Sequence, residues 1–175
     1  MATDPSGAPH VALLRGINVG KSVRIGMADL RAIFEGLGAG SVRTYLQSGN
    51  VVYKGQLDAA ALESAIHTRF GITPRVLLLS SAQFHAVADE IPIRDLATDP
   101  SRGFVYFMDS VPAGLTPPDD IAPEQVLVGK LAVYQWSPDG AGTSKIKASF
   151  IKSLGPTATA RNLRTVDALL GLLDA

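Results

Sequence analysis

The sequence predicts an α+β protein whose first half has a ferredoxin-like arrangement of strands and helices. Strand-like and helix-like patterns follow one another as β-α-β-β-α-β over residues 10–80, which is the order of that fold. The dipeptide Ser48-Gly49 separates two strand-like runs and predicts a hairpin turn. A chain of 175 residues that is 46% apolar can bury a core without disulfides. We expect a disordered tail at 1–9, a ferredoxin-like subdomain at 10–80, and a smaller α+β subdomain at 81–175 packed against it.

The first three elements are indicated by the spacing of apolar residues. A strand is predicted at residues 10–14, and a loop that contains glycines follows it as far as Gly26. Beyond the loop, apolar residues recur at the i, i+3, i+4 and i+7 spacing of a helix with one buried face. Those residues are Leu30, Ile33, Phe34 and Leu37, and Gly38 and Gly40 then end the helix.

A hairpin, a second helix and a fourth strand complete the predicted first half. Residues 42–47 alternate between apolar and polar side chains, as in a half-buried strand, and residues 50–53 form the strand after the turn. Asp58 is suited to cap the second helix. The apolar stripe of that helix is Leu62, Ile66 and Phe70. Residues 75–79 form the fourth strand.

The second half has less regular patterns. The predicted elements are a helix at 81–91, a linker at 92–102, strands at 103–108, 126–128 and 131–136, and a proline-rich loop at 112–123. Ser144 is predicted to cap a helix that Gly155 and Pro156 end. The apolar residues of the last helix are Leu163, Val166, Leu170 and Leu173.

The first sheet is predicted to be buried on both faces. A ferredoxin-like sheet has helices on one face only, so an exposed second face would show polar residues in alternation. Residues 11–14 and 76–79 are apolar at every position. We therefore expect the C-terminal half or a second copy of the chain to cover the face opposite the helices, which leaves both a monomer and a homodimer open.

Composition excludes several classes of function. The 16 basic and 16 acidic residues balance, so charge gives no global attraction to nucleic acid or to anionic membranes. The chain has no cysteine, which excludes disulfides, thiolate nucleophiles and cysteine-zinc sites. His10, His67 and His85 lie far apart, so we predict no metal site and no cofactor. Apolar runs such as residues 76–79 are too short to cross a membrane. Residues 1–9 lack the features of a signal peptide, and we expect a cytoplasmic protein.

Residues 15–22 contain a sequence similar to a phosphate-binding Walker loop, but the spacing is wrong. That loop has four residues between its glycines, and here three residues separate Gly16 from Gly20. The cradle of backbone N–H groups depends on this length, so a nucleotide hydrolase of that class is not predicted.

Topology brings polar residues from two loops to one edge of the first sheet. In this fold the loop after strand one and the turn between strands two and three lie at the same end, because strand three pairs with strand one. The facing residues are Arg15, Asn18 and Lys21 on the loop, and Gln47, Ser48 and Asn50 on the turn. Gly16, Gly20 and Gly49 permit close approach of the backbone. This mixture suits an anion or a polar small ligand. Alternatively, the amides satisfy backbone groups of the loops, as turn residues do.

Several sequence blocks resemble a bacterial domain-of-unknown-function family, number 1697. The blocks are ALLRGINVG (12–20), MADLR (27–31), VRTYLQSGNVVY (42–53), PDG (138–140), GTSK (142–145) and TATARN (157–162). The resemblance implies a two-part α+β fold with a ferredoxin-like first part, and it implies no established activity. It adds Arg43, Tyr45, Ser144, Lys145, Arg161 and Asn162 to the candidate residues.

Three hypotheses for function follow. The first is the binding of an anionic ligand in a cleft between the two halves. The ligand would be a phosphorylated small molecule or a nucleic-acid backbone, and the balanced charge makes nucleic acid the less favoured of the two. On this hypothesis Arg15 and Asn50 share one site with Lys145 and Arg161. The second is an enzyme that uses Lys145 or Tyr45 as general acid or base on an anionic substrate, which a buried Lys145 would favour. Ser144-Lys145 has the residue types of a nucleophile and its base, although a helix cap beside a surface lysine is favoured. The third is a partner-binding protein whose polar blocks are structural.

Overall fold

The protein contains two four-stranded antiparallel sheets and five α-helices within residues 7–21 and 23–175, which are those described by the computed structural model. The strands are β1 (Pro9–Arg15), β2 (Gly40–Tyr45), β3 (Asn50–Lys54), β4 (Arg75–Ser80), β5 (Gly103–Phe107), β6 (Gln125–Val128), β7 (Val133–Trp136) and β8 (Thr159–Asn162). The helices are α1 (Met27–Gly36), α2 (Ala59–Phe70), α3 (Ser81–Glu90), α4 (Ala148–Ser153) and α5 (Leu163–Leu173). Of the predicted tail, residues 1–6 lie outside the described residues, and Pro9 is already the first residue of β1.

The first sheet has the strand order β2-β3-β1-β4, with every neighbouring pair antiparallel. With α1 and α2 as the two connections, this is the predicted ferredoxin-like arrangement, and the prediction is confirmed. Asp58 caps α2 as expected, since its carboxylate accepts a hydrogen bond from the backbone N–H of Ala61 at 2.9 Å. Alternate residues of the central strands, such as Leu14 and Tyr53, form one core with Phe34 of α1.

The opposite face of the first sheet is also buried, as the two-sided apolar strands predict. Val11, Leu13 and Val52 are between 0% and 1% exposed, and Leu77 and Leu79 are 3% and 8% exposed. The central strands therefore have buried apolar residues on both faces of the sheet.

The described chain divides into two compact units. The first unit comprises the residues up to Phe84 together with Ala168–Ala175, and the second comprises His85–Asp167. Within the first unit, the guanidinium of Arg43 donates a hydrogen bond to the carbonyl of Leu172 at 2.5 Å. The end of α5 is thus joined to the first sheet. In the sequence analysis these residues belong to the predicted C-terminal subdomain at 81–175.

The second unit repeats the strand order of the first. Its sheet is ordered β6-β7-β5-β8. Numbered along the chain within each unit, the strands of both sheets therefore follow the order 2-3-1-4. The connection from β5 to β6 contains no helix in the structure, whereas the connection from β1 to β2 contains α1. Residues 108–124 take this helix's place, and Met108 and Ile121 pack in a small core with Val133 and Leu154.

Two expectations for the second half are corrected. The sequence pattern predicts no strand at 159–162, but these residues form β8, which pairs with β5. Ser144 was predicted to cap a helix, but α4 begins only at Ala148 with Lys147 at its N-cap position. The Ser144 hydroxyl instead accepts hydrogen bonds from the Ile146 N–H and the Gln135 side chain, before the helix begins.

Candidate functional site

Asn18 joins the two loops that the sequence predicts to meet. We call residues 15–21 and 23–25 together with residues 45–50 the polar edge. The Asn18 side chain donates to the carbonyls of Gln47 at 2.8 Å and Ile25 at 3.0 Å, and it accepts from the Ile25 N–H at 2.7 Å. Its own carbonyl accepts a hydrogen bond from the guanidinium of Arg24 at 3.0 Å. Asn18 therefore lies against the turn, as strand pairing predicts, and fixes the loop on it.

Asn50 holds the turn from inside. Its side chain is 0% exposed and donates to the carbonyl of Tyr45 at 2.8 Å and to the hydroxyl of Ser48 at 3.0 Å. The N–H of Leu14, on β1, donates to the carbonyl of Gly49 at 2.8 Å and joins the turn to the sheet. Both asparagines thus satisfy backbone groups, the alternative that the sequence left open. Their effect is to make the polar edge a fixed surface.

Glycines in the polar edge are required for two different reasons. Gly16 and Gly20 have φ of +87° and +58°, and a Cβ at either position would have open space around it. Glycine is favoured at these two positions by the backbone conformation alone. At Gly49, φ is +87° and a Cβ would also lie 2.7 Å from the Cβ of Leu14. The turn can therefore pack on β1 only with glycine at this position.

The exposed charges of the polar edge are all positive. Arg15, Lys21 and Arg24 are exposed, and Gln47 and Ser48 are exposed beside them on the turn. Within the sequence there is no acidic residue from position 15 to 28 or from 36 to 57. The edge consequently attracts anions locally, although the whole chain is neutral.

Exposed apolar side chains lie among these cations, a feature that sequence reasoning missed. Val19, Val23 and Leu46 are 59%, 51% and 56% exposed. Leu46 also has a φ of 56°, in the left-handed region that leucine rarely adopts. The turn therefore holds an apolar side chain outward at a cost in backbone strain.

The second unit contains a buried carboxylate that sequence reasoning also missed. Glu124 is 8% exposed and accepts hydrogen bonds from the Ser137 hydroxyl at 2.5 Å and the Gln135 amide at 3.2 Å. Its other oxygen accepts from the backbone N–H of Lys145 at 2.5 Å. Burial acts to raise the pKa of Glu124, but hydrogen bonds from Ser137, Lys145, Ser144 and Gln135 together hold it below its ordinary value. The network fixes the backbone at Ser144 and Lys145.

Gln135 extends this network to an aromatic residue of β5. Its carbonyl oxygen accepts a hydrogen bond from the hydroxyl of Tyr106 at 2.6 Å. Burial, with a smaller effect of the Glu124 charge, raises the pKa of Tyr106 to about 12. A glutamine inside the apolar run of β7 is the one sequence signal that could have indicated these partners, because a buried amide needs hydrogen bonds.

Lys145 does not meet the condition set for a catalytic lysine. It is exposed, and its ammonium group donates to the carbonyl of Ala122 at 2.5 Å. Tyr45 is half-buried at the end of β2. Neither side chain is fully buried, as the general acid or base of the second hypothesis would be.

Arg161 and Asn162 lie on β8 with different local partners. Arg161 is 8% exposed and donates to the hydroxyl of Thr159 at 2.7 Å and the carbonyl of Ala160 at 2.8 Å. Burial lowers the pKa of Arg161 to about 10. The Asn162 side chain accepts a hydrogen bond from the N–H of Thr165 at 2.9 Å and caps α5.

The candidate residues fall into two groups by unit. Arg15, Asn18, Gln47, Ser48 and Asn50 come together at the polar edge, with Gly16, Gly20 and Lys21 on the same loop and Arg43 and Tyr45 on β2. Ser144 and Lys145 meet at the Glu124 network, and Arg161 and Asn162 lie on β8. The site shared by both groups stays a prediction.

Two further observations concern metals and membranes. Residues 7–21 and 23–175 contain no group of three or more His, Asp or Glu side chains placed to hold a metal ion. Over the same residues, no helix has the length and apolar character needed to span a membrane.

Comparisons with known proteins agree with this description of the fold. The chain is similar to a solved structure, the conserved bacterial protein SP0830 from Streptococcus pneumoniae, with a TM-score of 0.70 and 24% sequence identity over 96% of this chain and 99% of that one. At this identity the likeness shows the fold. No curated protein matches the sequence. A family model described as a protein of unknown function, DUF1697, matches residues 8–134. Because this match spans more than half of the chain, the protein belongs to the DUF1697 family.

Proposed function

We propose that the protein binds an anionic, phosphate-bearing ligand at the polar edge. The observation that carries the proposal is the set of exposed cations Arg15, Lys21 and Arg24 on a loop without acidic residues. Arginine and lysine are the side chains that bind phosphate oxygens most often, through charge-assisted hydrogen bonds.

The loop's fixed geometry supports the proposal. Asn18 holds the loop on the turn through hydrogen bonds to Ile25 and Gln47, so a ligand would order few side chains on binding. Residues with positive φ occur at every second position, Gly16, Asn18 and Gly20. Residues of positive φ can turn neighbouring N–H groups toward one side, which is how backbone concavities for anions are built.

The ligand has two sources with the same chemistry, and one experiment separates them. Pyrophosphate and a ten-nucleotide oligouridylate are titrated into the protein at low and at physiological salt. For the small anion we expect saturable binding, and for the oligonucleotide an affinity that falls steeply with salt if backbone contacts are made. Lys21→Met and Arg24→Met should each weaken the bound probe by about tenfold, the effect of losing a charge-assisted bond.

The matched control is Lys152→Met, which removes an exposed lysine of the second unit. We expect it to leave binding of either probe unchanged. If the control weakens binding as much as Lys21→Met does, the interaction is non-specific and the proposal is wrong. Lack of binding of both probes at low salt would also refute it.

The predicted extension of this site to Lys145 and Arg161 has its own test. If one ligand contacts both Arg15 and Lys145, the effects of Arg15→Met and Lys145→Met on pyrophosphate affinity should be non-additive. Additive losses would refute the shared contact, and no loss for Lys145→Met would confine the ligand to the polar edge.

A second candidate function is association with another copy of the chain through the polar edge. The exposed Val19, Val23 and Leu46 favour it, because apolar side chains held outward together are typical of contact surfaces. Sedimentation velocity over a concentration series should show association that Leu46→Ser reverses. A monomer at every concentration would exclude it.

A further inference from the structure

The second unit contains a cavity that lies outside the polar edge. It measures about 520 Å³, within the range of small-molecule sites. One wall comes from the segment that replaces a helix between β5 and β6, and the other from the segment leading into α4. The lining residues include Pro118, Asp119, Asp120, Lys145, Lys147 and Phe150.

Side chains of opposite charge line this cavity. Asp119 and Asp120 come from the first segment, and Lys145 and Lys147 come from the second. Over the described part of the chain, no ion pair within 4.0 Å joins either carboxylate to either ammonium group. The cavity therefore offers an acidic wall and a basic wall to one occupant.

The basic wall has a fixed backbone. The N–H of Lys145 donates to the buried carboxylate of Glu124, and its ammonium group donates to the carbonyl of Ala122, both at 2.5 Å. These bonds join the segment leading into α4 to the segment that carries Asp119 and Asp120. The distance between the two walls is consequently set by the protein before any ligand arrives.

The cavity also has an apolar surface. Phe150 is half-buried and packs against the small core of the second unit, and Pro118 lies in the lining with it. Apolar surface with a few fixed polar groups is the usual composition of a small-molecule site.

We propose that this cavity binds a zwitterionic small molecule, one that carries a protonated amine, a carboxylate or phosphate, and an apolar part. The amine lies against Asp119 and Asp120, the anionic group against Lys145 and Lys147, and the apolar part against Phe150. A ligand with only one charge leaves one wall unused and binds more weakly. The proposal uses no residue of the polar edge, so it stands or falls independently of phosphate binding there.

Three probes with the same phenyl ring test the requirement for both charges. They are L-phenylalanine, 2-phenylethylamine, which has the amine alone, and 3-phenylpropionate, which has the carboxylate alone. Titrations followed by ¹H–¹⁵N NMR should show L-phenylalanine binding about tenfold more tightly than either of the others. Shifted resonances should cluster at residues 118–120 and 145–150. Equal affinities, shifts elsewhere, or no shift for any probe at 10 mM as a rough upper limit would overturn the proposal.

Matched substitutions test the two walls separately. Asp120→Asn and Lys147→Met should each weaken L-phenylalanine by about tenfold, and asparagine tolerates the φ of 55° at position 120 well. Asp120→Asn should leave 3-phenylpropionate unaffected, and Lys147→Met should leave 2-phenylethylamine unaffected. The controls Asp139→Asn and Lys152→Met remove exposed charges outside the lining and should change nothing. Equal losses in variants and controls would mean that bulk charge, not the cavity, binds the probe.

Discussion

Replacing Asn18 by alanine should destabilise the first unit by a calculable amount. The side chain makes three hydrogen bonds, two to Ile25 and one to Gln47. Because Asn18 is only half-buried, water can replace lost partners, and we assign the low end of about 0.5 kcal/mol to each bond, or about 1.5 kcal/mol together. Alanine at a φ of 53° adds about 1–2 kcal/mol of strain. The expected loss for Asn18→Ala is therefore about 2.5–3.5 kcal/mol.

Asn18→Gly separates the two contributions. Glycine removes the strain and adds about 0.5–1 kcal/mol of entropy to the unfolded chain, so its loss should be about 2–2.5 kcal/mol. Urea unfolding is measured by far-UV circular dichroism, which reports both units, and by fluorescence of the single tryptophan, Trp136, in the second unit.

The outcome can refute the reasoning in two ways. A loss below about 0.5 kcal/mol for both variants would show that the Asn18 bonds do not hold the loop. A larger loss for glycine than for alanine would show that the positive φ at position 18 carries no strain. Pyrophosphate affinity should fall with both variants, because a loosened loop must be ordered when the ligand binds.

Three further variants test other parts of the structure. Gly20→Ala should lower the free energy of unfolding by about 1–2 kcal/mol through its φ of +58° alone. Gly49→Ala should lower it by about 1–3 kcal/mol more, because the added Cβ overpacks against Leu14 of β1. Equal losses for the two variants in urea unfolding would contradict the clash at Gly49. Asp58→Ala should cost about 1 kcal/mol through loss of the α2 cap, and Asp58→Asn should not; a neutral alanine variant would contradict this role. Glu124→Gln should be less stable than the native protein at neutral pH. The pKa of Glu124 is lower in the folded protein than its unfolded value of about 4.3, so the carboxylate stabilises the fold above that pH and loses this effect as the pH falls through the folded pKa. The stabilities of the two proteins should therefore converge in acid. A constant difference in stability between pH 7 and pH 3 would contradict this role.

The first half could be predicted because its signals are local. Apolar spacing around Leu30 and Phe34, the cap at Asp58 and the Ser48-Gly49 turn each specify one element, and the order of the elements specifies the sheet. The contact between Asn18 and Gln47 spans 29 residues of sequence, but it follows once β1 and β3 pair.

Two features of the second half, strand β8 and the Glu124 network, could not be predicted because their signals are not local. Strand β8 places the cation of Arg161 at a buried position, which breaks the apolar alternation by which strands are identified. Glu124 follows a proline-rich stretch and has the local sequence of a surface turn. Its buried role depends on Ser137 and Lys145, which are 13 and 21 residues away, and no periodicity joins them.

The two-part composition of the first unit has a consequence for the growing chain on the ribosome. Residues up to Phe84 leave the ribosome long before Ala168–Ala175, yet both belong to this unit and are joined by the bond from Arg43 to Leu172. The second unit, His85–Asp167, is continuous in sequence and can assemble as soon as it has emerged. The part of the protein that is synthesised first is therefore the part that is completed last.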